Sequence, residues 1–121
     1  MGGDGERPGT ALASVADVVV CPLEALPPGT MKLAKAGAEM VGVYHLPDGR
    51  LCAIEDRCSH DDGPLVEGDW EPDEGVAICP RHGSRFDICS GRPLSLPAYE
   101  PVAIFPVRVR EDGMVVVEVE G

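Results

Sequence analysis

Two dipeptides, Asp48-Gly49 and Asp112-Gly113, each separate two runs of strand-forming residues, and the runs around the second alternate apolar with polar. Glycine supplies the positive φ of a tight hairpin, and a period of two turns one face of each run towards a core. The runs are residues 41–46 with 51–54, and 103–110 with 114–120. Lys35-Ala36-Gly37 divides residues 31–34 from 39–46 in the same way, while residues 15–21 and 76–78 read as further short strands. Pro22-Leu-Glu-Ala-Leu26 has room for one helical turn before Pro27-Pro28-Gly29 stops it. No segment sustains an apolar period of 3.6 residues, and no internal repeat is present. The fold class this predicts is all-β, an antiparallel sandwich or small barrel.

The length of 121 residues allows one domain. Residues 1–14 are Gly-rich and polar and are expected to form a flexible N-terminal tail, leaving residues 15–121 as the domain. A net charge of −11 speaks against binding a phosphate backbone or an anionic membrane, and makes basic protein surfaces the complementary partners. No run reaches the roughly 18–20 apolar residues of a membrane span, and the N-terminus has neither a basic segment nor an apolar one of signal-peptide type. The expected location is the cytoplasm. There a set of five cysteines favours metal binding over a disulfide framework. Cys21, Cys52 and Cys89 lie among apolar neighbours and read as small buried hydrophobes. His45 reads as structural, and Trp70 as packing at the base of a loop.

Residues 57–80 break the strand pattern with an acidic, Gly- and Pro-bearing insertion that includes Asp61, Asp62, Glu67, Asp69, Glu71, Asp73 and Glu74. A long irregular loop in a compact domain is usually functional. Its two ends carry paired ligands: Cys58-Ser59-His60, and Cys79-Pro80-Arg81-His82. Thiolate and imidazole together suit borderline and soft metals. A structural zinc site is one reading of two Cys and two His, although zinc fingers usually place like ligands in each knuckle. The other reading is an iron–sulfur cluster with two of four thiolates replaced by imidazoles, which raises its potential. Gly63-Pro64 and Gly83 permit the tight turns that bring backbone N–H groups towards cluster sulfides. A further loop, residues 93–101, holds Pro93, Pro97 and Pro101.

The sequence resembles the Rieske iron–sulfur family. Cys58-Ser-His60-Asp-Asp-Gly63 is similar to its first box and Cys79-Pro-Arg-His82-Gly83-Ser84 to its second, with Ala53-Ile-Glu-Asp56, Arg85-Phe86-Asp87, Ser90-Gly91-Arg92-Pro93-Leu94 and Pro97-Ala98 extending the likeness over roughly residues 15–119. The resemblance implies a Rieske 2Fe–2S cluster in a tip formed by loops of about residues 57–66 and 79–84. Cys58 and Cys79 would bind the inner iron, His60 and His82 the outer iron, and the Pro97-Ala98 segment would cover the far side. Members from respiratory and photosynthetic complexes carry a further Cys in each box and join the two as a disulfide. Gly63 and Arg81 stand there in this chain, so the resemblance is to soluble, disulfide-free members. These include the ferredoxin components of aromatic-ring dioxygenase systems, which carry one electron from a flavin reductase to an oxygenase. Related small proteins accompany cluster assembly or act as redox sensors, and others are nitrite-reductase small subunits, which commonly lack the ligands. A zinc-stabilised interaction module completes the alternatives. None of these roles makes the chain itself an enzyme.

Two neighbours bear on potential. Ser84 has a hydroxyl to donate to a bridging sulfide, whereas Phe86 stands where high-potential members have a Tyr. The midpoint is therefore expected in the lower part of a range of roughly −150 to +300 mV. Each imidazole leaves one ring nitrogen to titrate, and oxidised iron lowers its pKa. The midpoint should thus fall as pH rises through the alkaline range. Protein-film voltammetry across that range checks both, and a high, pH-independent potential would contradict them.

Overall fold

The computed structural model describes residues 15–37, 39–59, 63–66, 68–80, 83–98 and 100–120. The expected tail lies outside these residues, as do His60, Asp61, Asp62, Glu67, Arg81, His82 and Tyr99. In chain order the strands are β1 Val15–Pro22, β2 Thr30–Ala36, β3 Glu39–His45, β4 Leu51–Glu55, β5 Trp70–Glu71, β6 Val76–Ile78, β7 Arg85–Asp87, β8 Ile104–Phe105, β9 Val107–Val109 and β10 Met114–Glu120. A single 3₁₀ turn, Leu23–Ala25, follows β1 where one helical turn was expected. All strand pairs are antiparallel, in sheets ordered β1-β10-β9, β2-β3-β4-β8 and β5-β6-β7. The all-β expectation holds. Gly49 and Gly113 occupy their hairpins with φ of +99° and +85°.

The sheet β2-β3-β4-β8 is the middle layer, and alternation along β3 and β4 explains how. Val41, Val43 and Ala53 join one buried cluster with Cys21, Leu26, Ala36, Val115, Val117 and Val119. Tyr44, Leu46 and Ile54 join the other, with Cys58, Leu65, Val66, Ala77, Cys79, Phe86 and Ile88. Register keeps each face consistent: Val43 sits opposite Ala53, and Tyr44 opposite Cys52. Gly42, on the second face, makes room for the first ligand loop, since a Cβ there would lie 2.6 Å from a methyl carbon of Val66. One sheet thus supports two cores. β1, β9 and β10 build a base on one side, and the loops and β5-β6-β7 build a tip on the other.

Two expectations need correction. Residues 103–110 do not form one strand. Pro106 has no N–H to give to β4, so pairing ends at Ala53 opposite Phe105. The chain then crosses to pair β9 with β10. The second correction concerns cysteine. Cys21 is buried in β1 as expected. Cys52 and Cys89, however, form a disulfide with their Cα atoms 5.1 Å apart, so the chain is not disulfide-free and these two are not separate buried thiols. Alternation along β4 turns Cys52 towards the tip, and the turn after β7 brings Cys89 to meet it. The bridge lies elsewhere than Gly63 and Arg81, where the resemblance ruled one out.

Candidate metal centre

Cys58 and Cys79 are fully buried, at 0 and 1 % exposure, and belong to the same apolar cluster. Each opens a loop that closes in the same way. The Cys58 N–H donates to the Gly63 carbonyl at 2.7 Å, and the Cys79 N–H to the Ser84 carbonyl at 2.8 Å. In both loops the bond spans five residues, so the second box repeats the first in backbone as well as in sequence. Gly83 takes φ +73° and donates to the Cys79 carbonyl at 2.9 Å. Gly68 packs behind the second loop. A Cβ there would sit 2.4 Å from the Ile78 carbonyl, which is backbone and cannot yield.

The proline loop is fastened to both boxes. Ser59 donates its hydroxyl to the Glu100 carbonyl at 2.5 Å. The Ala98 N–H donates to the fully buried Ser84 hydroxyl at 3.3 Å, and the Arg85 N–H to the Ser95 hydroxyl at 3.0 Å. Because Ser84 Oγ accepts from Ala98, its own hydrogen is left to donate elsewhere. Phe86 is buried in β7 and brings no hydroxyl. Pro97 follows a cis peptide bond and is half-buried beside the buried Ala98.

Two carboxylates hold this frame, and the sequence reading quoted them only as flanking residues. Asp56 Oδ1 accepts from the N–H groups of Leu65 and Val66 at 2.8 and 2.9 Å, clasping the first loop across its base. The nearly buried Glu55 accepts from the Ala103 N–H at 2.8 Å and pairs with Arg57 at 3.2 Å. Burial raises the Tyr44 phenol well above its ordinary pKa, and the Asp56 charge adds to this, so Tyr44 stays neutral. Its ring meets Trp70 edge-to-face at 4.8 Å, the packing role expected of that tryptophan. His45 is structural as expected, donating from Nδ1 to the Leu26 carbonyl at 2.7 Å. An acidic side chain directly before a Gly- and Pro-bearing loop was the available signal for Asp56. Replacing it by Ala leaves two N–H groups unsatisfied in the tip and is expected to cost about 3 kcal/mol. Asp56→Asn, which keeps one acceptor oxygen, should lose less than half of that. Denaturant unfolding of the three proteins checks the order.

The described residues fit a 2Fe–2S group as far as they reach: two buried thiols, matched closed loops and a hydroxyl poised to donate. The two imidazoles fall outside them. The acidic insertion divides. The Asp69 carbonyl accepts from the Ile78 N–H at 2.9 Å, beside the second loop. Glu71 ends β5, Glu74 lies in the turn that leads to β6, and both pair with Arg85.

Comparison with known proteins agrees with this construction. The model of the Rieske [2Fe-2S] domain matches residues 16–106. Ferredoxin CarAc of Metapseudomonas resinovorans is 38% identical over 93 residues, covering 76% of this chain and 84% of that protein. The 3-phenylpropionate/cinnamic acid dioxygenase ferredoxin subunit of Photorhabdus laumondii is 33% identical over 97 residues, covering 80% and 90%. Among solved structures, a complex of reduced oxygenase and oxidized ferredoxin in carbazole 1,9a-dioxygenase contains a chain 38% identical to this one. It superposes with a TM-score of 0.72 over 83% of this chain and 99% of that one.

Proposed function

Since the chain belongs to the Rieske [2Fe-2S] domain family, we propose that it is a one-electron carrier, the ferredoxin component of a multicomponent oxygenase system. It takes an electron from a flavin reductase and delivers it to an oxygenase. The observation that carries this reading is the pair of buried cysteines, each heading a loop closed by the same five-residue bond, within the span matched by the family. When bound, the cluster supplies reversible one-electron transfer with no bond made or broken in a substrate.

In this assignment Cys58 and Cys79 would hold one iron as thiolates, and His60 and His82 would hold the other. Burial of the two thiol positions keeps water from one side of the group. Ser84 would favour the more negative, reduced state if its hydroxyl donates to the cluster, and Phe86 adds no second donor. Asp56 and the Ser59–Glu100 bond fix the loop positions, so little has to rearrange when charge changes. That suits a carrier. Among the described residues, Gly63, Pro64, Leu65, Val66, Gly83 and Ser84 line the two loops.

Charge complementarity with basic partners follows from the net charge of −11. The division of the insertion narrows which carboxylates do the steering to Asp61, Asp62, Glu67 and Asp69. Glu71 and Glu74 are instead paired with Arg85. The experiment is reconstitution. Purified protein should be red-brown and, with a reductase, an oxygenase and reduced nicotinamide nucleotide, should sustain product formation that stops when it is left out. Neutralising Asp61, Asp62, Glu67 and Asp69 should slow transfer and flatten its salt dependence. A colourless protein would sink the cluster assignment; a red-brown one that no reductase can reduce would sink the carrier role alone.

A further inference from the structure

The Cys52–Cys89 bridge sits where the fold opens. Past Phe105 the chain leaves β4 at Pro106 and pairs with β10, so among the described residues the Leu51-Cys52 end of β4 has no hydrogen-bonded strand on that side. The result is an open groove of about 400 Å³ lined by Leu51, Cys52, Cys89, Ile104, Phe105 and Val107. Both sulfur-bearing residues are only half-buried, and Ile104 on the rim is 49 % exposed. Most structural disulfides are shielded by packing, and exposed ones are the more readily exchanged. This one also spans the two halves of the fold, since Cys52 belongs to the middle sheet and Cys89 to the tip.

We propose that Cys52–Cys89 is a thiol–disulfide exchange site, opened by a low-molecular-weight thiol that enters the groove, and that the bridge is a reversible tether of the cluster-bearing tip. A thiolate of the reductant attacks one bridge sulfur, forming a mixed disulfide as the S–S bond breaks. The other cysteine leaves as a thiolate and takes up a proton. A second thiol group, from the same dithiol or from another monothiol, then attacks the mixed disulfide. The protein is left with two thiols, and the reductant with one disulfide. Two electrons and two protons are transferred in all, and the one-electron cluster is not involved. Apolar walls favour a small, weakly charged thiol, and the groove is large enough for one.

The test uses cluster-loaded protein under anaerobic conditions, with dithiothreitol and reduced glutathione as probes. After brief exposure and desalting, the protein is denatured without reductant and alkylated. Untreated protein should show three reactive cysteines (Cys21, Cys58 and Cys79) and treated protein all five, while the visible spectrum is retained until denaturation. Ile104→Trp, on the exposed rim, fills the groove and should slow reduction about tenfold. Hydrogen exchange should rise on reduction in residues 76–98 and stay unchanged in β1 and β10. Cys52→Ala with Cys89→Ala should abolish the response to thiol. The proposal is overturned if untreated protein already shows five thiols, if the bridge resists until denaturant is added, or if Ile104→Trp reacts as fast as the parent. Exchange that stays level throughout the tip would overturn the tether.

Discussion

Cys58→Ser and Cys79→Ser are each expected to remove the cluster completely, leaving colourless protein without its low-temperature paramagnetic signal after reduction. The ligand assignment proposed above requires this, and the packing shows why the loss should be total. Each cysteine is buried in the apolar cluster of the tip, at the first position of a loop held shut by its own N–H. A serine hydroxyl is a poor ligand for iron beside sulfide. The cluster's binding energy is also folding energy for the loops it joins. The variants should therefore unfold at lower temperature as well as lose colour. Cys21→Ser is the control. Cys21 lies in the other core, within β1, and its replacement should keep the full spectrum at a cost of about 1 kcal/mol. Full cluster content in either ligand variant would remove that residue from the site.

What could be read from the chain depended on how local its cause was. The hairpins at Asp48-Gly49 and Asp112-Gly113, the 3₁₀ turn before Pro27 and the paired ligand boxes are all set within a few residues, and they were legible. Strands β5 and β7 were not. They have two and three residues, too few for alternation to stand out, and they form because Trp70 and Phe86 are drawn into the tip core. The strand break at Pro106 was visible as a proline within an alternating run. Its consequence, a change of sheet, depends on β10 being there to receive the chain. The site shows the same division. The proposed ligand positions rest on spacing alone. The carboxylate of Asp56 and the hydroxyl of Ser59 act across 9 and 41 residues, on partners that only the fold brings near. The disulfide is the plainest case, for a separation of 37 residues carries no signature.

Loss of the disulfide is the second large effect. Closing a loop of this length in the unfolded chain is expected to be worth about 4 kcal/mol, most of it entropic in the chain-entropy account. Here the closed loop runs from the start of β4 through both ligand boxes to the turn after β7, and so contains most of the tip. The unfolded chain therefore loses freedom in the segment that must be ordered around the cluster. Cys52→Ala with Cys89→Ala should lower the thermal midpoint of the cluster-loaded protein by more than about 10 °C. The single variants decide whether the bridge or the side chains are responsible. If the stabilisation belongs to the covalent link, either replacement alone removes nearly all of it and the second adds little, so the coupling between them approaches the full effect. If it belongs instead to packing of two half-buried side chains against Tyr44, Leu46 and their neighbours, the two losses should add, each about 1 kcal/mol. Additive, small losses would show that the link contributes nothing to stability, whatever its chemistry in the groove.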